Sequence, residues 1–145
     1  MPLFYRSGAW YLPGEIVPAG NWGRVIRAQG TRHNLFYREL VYELVRAAEF
    51  ADRPSRMTAS FAFEGEVVAR NFNNPSAPLL YRVEVADQAA LTFRADMSWI
   101  DTLAGGPNAF DEARQLARHY WRGDPRGNAW EVLVVSGLRV DALLG

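Results

Sequence analysis

The chain has no cysteine, no lysine and two histidines, His33 and His119. Without cysteine there is no disulfide to staple the fold and no thiolate to ligate a metal, and two histidines do not make a multi-histidine centre, so no metal is expected. Without lysine, Schiff-base chemistry is excluded and phosphate recognition falls to arginine, which supplies all 16 basic residues. Excess charge of one sign is missing too: 16 basic side chains balance 16 acidic ones, so no long-range field draws the protein towards nucleic acid. No apolar run approaches the roughly 20 residues of a membrane-spanning helix, and the N-terminus lacks a basic segment leading into an apolar stretch and cleavage site. The expectation is a cytoplasmic protein with no membrane partner. Gly105-Gly106 lacks the spacing of either common phosphate-binding loop, and neither histidine has a nucleophile placed by a local signature.

What is there is apolar and aromatic. Of 145 residues, 49% are hydrophobic and 13% aromatic, enough for one folded domain spanning residues 1–145. Leu3 to Ser7 reads as a strand with Phe4 and Arg6 on one face. Residues 8 to 32, dense in glycine and proline and carrying Trp10 and Trp22, read as a long irregular loop. From Asn34 to Phe50, Leu35, Phe36, Leu40, Val41, Leu44, Val45 and Ala48 recur at helical spacing, which predicts a helix with Glu39, Glu43 and Arg46 off its buried stripe.

Met57 to Phe63 predicts a strand with a small polar face of Thr58, Ser60 and Ala62. A short helix over Glu64 to Phe72 follows, closed by Asn73-Asn74-Pro75. Leu79 to Val85 alternates cleanly as a half-buried strand, Leu91 to Ala95 as a weaker one, and Ser98 to Leu103 as a short helix. Asn108 precedes a second long helix, with Asp111 and Glu112 in its first turn and Phe110, Ala113, Leu116, Ala117, Tyr120 and Trp121 expected inside; Gly123 stops it. Trp130 to Val135 and Leu138 to Leu143 are the last strands. The sum is α+β.

One carboxylate, Glu131, starts an otherwise apolar strand directly after a turn-rich loop over residues 122 to 128. Three ordered motifs give that position a context: Phe4-Tyr5-Arg6-Ser7-Gly8, Thr58-Ala59-Ser60-Phe61, and Ala129-Trp130-Glu131-Val132-Leu133-Val134 ahead of Gly137-Leu138-Arg139-Val140. In this order and on these element types the chain resembles the arginine–serine–glutamate branch of the ADP-ribosyltransferase superfamily, and its small bacterial stand-alone domains in particular.

The resemblance implies a split β-sheet core with flanking helices and NAD as co-substrate. It implies Glu131, Ser60 and Arg6 as the catalytic set. Tyr5, Arg6, Ser7, Thr58, Ser60, Phe63 and Phe72 would contact NAD, the arginine on the pyrophosphate and an aromatic ring on nicotinamide. The chemistry suits these residue types: a fixed carboxylate stabilises positive charge developing on ribose, and a guanidinium binds phosphate oxygens with directed bonds.

The acceptor implied is a macromolecule, protein or RNA/DNA, and the biological setting a toxin, effector or defence protein with a cognate antitoxin or immunity protein. Ala129 stands where arginine-modifying members carry a second Glu or Gln. Arg114, Arg118, Arg122 and Arg126 form a basic stripe beside the loop, a candidate phosphate-binding face. The alternatives are a non-catalytic binding module on the same fold, using the Trp-bearing 8–32 segment, and an NAD glycohydrolase in which water replaces the acceptor.

Overall fold

The computed structural model describes residues 2–72, 74–102 and 104–145. Asn73 and Leu103, expected in a turn and at a helix end, lie outside them. The chain forms β1 (Leu3–Ser7), β2 (Ile16–Val17), α1 (Asn21–Gln29), a short 3-10 turn (Gly30–Arg32), α2 (Phe36–Glu49), β3 (Ser60–Glu64), α3 (Glu66–Asn71), β4 (Leu79–Val85), β5 (Thr92–Asp96), α4 (Ala109–Arg122), β6 (Trp130–Val134) and β7 (Leu138–Leu143). This is the expected α+β class. No helix among the described residues is long and apolar enough to cross a membrane.

The strands make one antiparallel sheet in the order β2-β7-β4-β1-β3-β6-β5. One short seam is central. β1 runs beside β4 from Leu3↔Val83 to Ser7↔Leu79, yet meets β3 at Leu3↔Glu64 and Phe4↔Phe63 alone. Past Phe4 the sheet divides into halves β2-β7-β4-β1 and β3-β6-β5.

One face carries Phe4, Leu80, Phe63, Ala95 and Leu133, against which α2 and α4 pack with Tyr42, Val45, Ala117, Tyr120 and Trp121. The other joins Ala62 and Val134 of one half to Tyr81, Val83, Leu138 and Val140 of the other. β4 is therefore more than half-buried: Leu80, on the side expected to face water, is sealed by the helices.

Several expectations need correction. Residues 8–32 are not one irregular loop: they hold β2, α1 and the 3-10 turn, with Gly20 at the start of α1 (φ 91°), Gly30 at its end (φ 54°) and Gly23 within it. β3 begins at Ser60, not Met57. Residues 56–58 form a turn in which the amides of Thr58 and Ala59 donate to the Ser55 carbonyl. Residues 97–101 are turns in place of the expected short helix.

α2 is rotated relative to the hydrophobic stripe: Glu39, Tyr42 and Val45 are buried, whereas Leu44 is 60% exposed. In α4, Phe110 is 89% exposed rather than inside. The expected end of α4 holds, Gly123 taking the left-handed conformation with φ 77° and its amide bonding the carbonyls of the last turn. Asn108 does precede the helix, but its side chain makes no capping bond.

Candidate active site, a buried arginine between two glutamates

The turn after α2 delivers Arg56 into the interior. Ser55 Oγ donates to Glu43 Oε2 at 2.8 Å and Arg46 Nη1 donates to the Arg53 carbonyl at 3.1 Å, so α2 itself holds the turn. The Arg56 guanidinium is almost fully buried and reaches two carboxylates. Its Nε donates to Glu39 Oε2 at 2.9 Å and its Nη2 to Glu39 Oε1 at 3.1 Å; its Nη1 donates to Glu131 Oε1 at 2.6 Å. The same Nη1 lies 2.6 Å from the Tyr120 hydroxyl, which in turn donates to Glu131 Oε1 at 2.6 Å. Below the guanidinium lies the Phe61 ring, 4.6 Å from its carbon. Trp22 Nε1 at 3.0 Å and Arg38 Nη2 at 2.9 Å complete the shell of Glu39 Oε1.

Such a cluster survives burial because the charges compensate: two carboxylates face Arg56 and, at the rim, Arg38. Burial by itself would raise the Glu39 carboxyl, but the charge and hydrogen bonds of Arg56, then those of Arg38, outweigh it and bring Glu39 from 4.5 down to about 2. Burial likewise pushes the Tyr120 phenol well above its usual range, so its hydroxyl remains a donor towards Glu131.

The Glu39 shift sets an acid limb. A folded pKa below the unfolded one means that the stability Glu39 contributes is fully present above about pH 4.5 and is withdrawn as pH falls from there through about 2. Urea midpoints should therefore drop through that window, and Glu39→Gln should flatten the drop; an unchanged slope in the variant would show that another group controls it.

α1 is seated against this cluster by a close approach. A Cβ at Gly23 would stand 1.7 Å from the Met57 carbonyl oxygen, beside Arg56. Gly23→Ala must push α1 outwards and take Trp22 from Glu39, an overpacking expected to cost about 1–3 kcal/mol. Reduced urea stability together with an altered tryptophan emission spectrum is the expected result, and wild-type values of both would contradict the seating.

Glu131 is delivered from the other side by the loop after α4. Asp96, fully buried at the end of β5, accepts backbone hydrogen bonds from Arg126, Gly127 and Asn128 at 2.8, 2.9 and 2.8 Å on Oδ2, and from Ser98 at 3.0 Å on Oδ1. Burial alone would raise its pKa; these N–H donors lower it instead. Met97 N donates to the Ala129 carbonyl at 2.8 Å, and pairing of Ala95 with Glu131 and Asp96 with Trp130 begins there.

The residues singled out by sequence fall into two groups. Cross-strand partners share a face, so Phe4, Phe63 and Glu131 project together and, by alternation along β1, so does Arg6. Phe72 packs on Phe63 with ring centroids 4.9 Å apart. Arg6 is half-buried, its Nε donating to the Ala77 carbonyl at 2.9 Å.

Ser60 does not meet Glu131. Paired with Val134, it lies on the opposite face, and its hydroxyl donates to the Ser136 carbonyl at 3.2 Å. Tyr5 and Ser7 also point to that second face, where Tyr5 packs and Ser7 Oγ accepts from the Ala9 amide. Thr58 stays exposed in the turn before β3.

The basic stripe is largely engaged within the protein. Arg118 pairs with Glu49 at 2.9 Å, Arg122 approaches Asp124 at 3.7 Å, and Arg126 donates to Thr102 Oγ1 at 2.7 Å while lying over Trp99. Among the described residues no cluster of His, Asp and Glu is arranged to hold a metal.

Arg56, Glu39 and Tyr120 are not marked as site residues by the sequence. Arg56 follows a proline turn and looks like an ordinary surface charge, and Tyr120 looks like core. Glu39 carries the one usable signal, its place three residues before Tyr42 and six before Val45 on a single helical face.

The fold and this cluster define a small α+β domain built over a buried arginine–glutamate centre. Residues 21–143 match the family described as Protein of unknown function (DUF2441), and the chain belongs to that family. The matched stretch contains Glu39, Arg56, Tyr120 and Glu131, and begins after Arg6. No curated protein matches the chain at a significant level.

Proposed function

We propose that this domain binds NAD and transfers its ADP-ribosyl group to a macromolecular acceptor, with Glu131 as the carboxylate at the reacting ribose. One observation carries the reading: β1, β3 and β6, the strands bearing the three motifs, are neighbours, and Arg6, Phe63 and Glu131 project from the same face of them. The division of the sheet past Phe4 agrees with the split-sheet core of ADP-ribosyltransferases, which is part of the same proposal.

In this chemistry the bond between nicotinamide N1 and ribose C1′ breaks and its electron pair leaves with nicotinamide. The cationic character left on C1′ and the ring oxygen is stabilised by the Glu131 carboxylate. A nucleophile of the acceptor then bonds to C1′ and loses its proton. With water as nucleophile the products are ADP-ribose and nicotinamide, the glycohydrolase outcome. In this scheme Arg6 binds phosphate, and Phe63 with Phe72 gives nicotinamide an aromatic face. Ser60, on the far side of the sheet, has no part in this scheme. Release of nicotinamide from NAD by the wild-type protein and its loss in Glu131→Gln is the experiment; no release at any acceptor concentration would dismiss the reading.

A second reading, a non-catalytic binding module, is favoured by the 8–15 segment, where Trp10 is 73% and Leu12 71% exposed. It predicts a partner whose binding is lost in Trp10→Ala with no NAD consumed. Trp22, bonded to Glu39, belongs to the interior cluster and not to that surface.

A further inference from the structure

A structural ion pair between a carboxylate and a guanidinium is served best when both oxygens are used, as Glu39 uses both of its own towards Arg56. Glu131 is different. Both of its short bonds, from Arg56 Nη1 and from the Tyr120 hydroxyl, go to Oε1. Its Oε2 accepts none among the described residues, and the buried polar side-chain atom left without a partner there is Arg38 Nε, not Glu131 Oε2. Oε2 is thus left without a described hydrogen-bond donor, and the side chain as a whole is 6% exposed.

A carboxylate with one oxygen gripped and the other unused is oriented, not merely neutralised. The grip is rigid: Arg56, Tyr120 and Glu131 form a closed triangle of 2.6 Å contacts, and Glu39 holds the other edge of the guanidinium while Phe61 lies against its plane.

Resting on the function proposed above, we propose that Arg56 and Tyr120 are positioning residues that fix Glu131 Oε1 so that Oε2 faces the ribose of NAD. Glu39 is the residue that holds Arg56 in place. The hydroxyl that contacts Glu131 comes from a helix, α4, and from the side of the sheet on which Glu131 lies.

Tyr120→Phe removes the hydroxyl and keeps the ring. For nicotinamide release from NAD, the expected result is a kcat reduced about ten- to a hundredfold with KM changed by less than about threefold, and a displaced acidic limb of the pH–rate profile. Its unfolding midpoint should stay close to that of wild type. Arg56→Lys, which keeps the charge but cannot bridge Glu39, Tyr120 and Glu131 at once, should lower kcat at least as far. If the wild-type protein turns over NAD and folded Tyr120→Phe retains its kcat and pH profile, the positioning role is wrong while the proposed function stands. A wild-type protein without turnover overturns both.

Discussion

Arg56→Met is expected to destabilise the protein by about 3–5 kcal/mol, the effect of removing the shared cation from two buried carboxylates. For a domain of this size that is on the order of 10 °C in the thermal midpoint. The substitution nearly preserves volume, so cavity formation contributes little; what remains is Glu39 and Glu131, both buried, facing each other across an apolar side chain. Arg38 compensates Glu39 from the rim, but among the described residues nothing comparable reaches Glu131 beyond the Tyr120 hydroxyl. The charge origin can be separated from packing. Adding Glu39→Gln and Glu131→Gln to Arg56→Met should restore much of the lost stability, since neutral amides carry no uncompensated charge. Urea denaturation of the single and triple variants is the measurement. A single variant within about 1 kcal/mol of wild type would mean that the cluster is not the electrostatic centre of the fold.

Glu131→Gln should reduce NAD consumption by about 10²–10³-fold or more, because the neutral amide has the shape of the carboxylate without the charge that opposes the forming oxocarbenium. The loss should lie in kcat, as the interaction is made chiefly in the transition state. Folding should suffer less than in Arg56→Met: Glu39 retains Arg56, and the amide oxygen introduced by the substitution can still accept from the guanidinium. The two variants thus differ in kind, one mainly of stability and one mainly of rate. Equal nicotinamide release by Glu131→Gln and wild type would remove Glu131 from the chemistry.

The parts of the fold legible in the sequence are those set by neighbours in the chain. Alternation places β4 at Leu79–Val85 and β7 at Leu138–Leu143, and Gly123 with Pro125 marks the end of α4. The face of β1 that carries Arg6 follows from period two. Misread elements share a cause as well. The largest aliphatic residues suggest one phase for α2, but its rotation is decided by where a glutamate finds an arginine. Glycines hide α1 from a sequence reading, and one of them is there because the Met57 backbone lies against it.

Local pattern was enough to establish the α+β class, most of the strands and the lone carboxylate at the head of β6, since periodicity and turn chemistry act over a few residues. Which side chains surround that carboxylate was left to the packed fold. Arg56 lies 17 residues from Glu39 and 75 from Glu131, and Ser60 is turned from Glu131 by a register that puts it opposite Val134. Strand register and helix rotation are settled by packing and by the need to compensate every buried charge, and neither can be read from spacing along the chain.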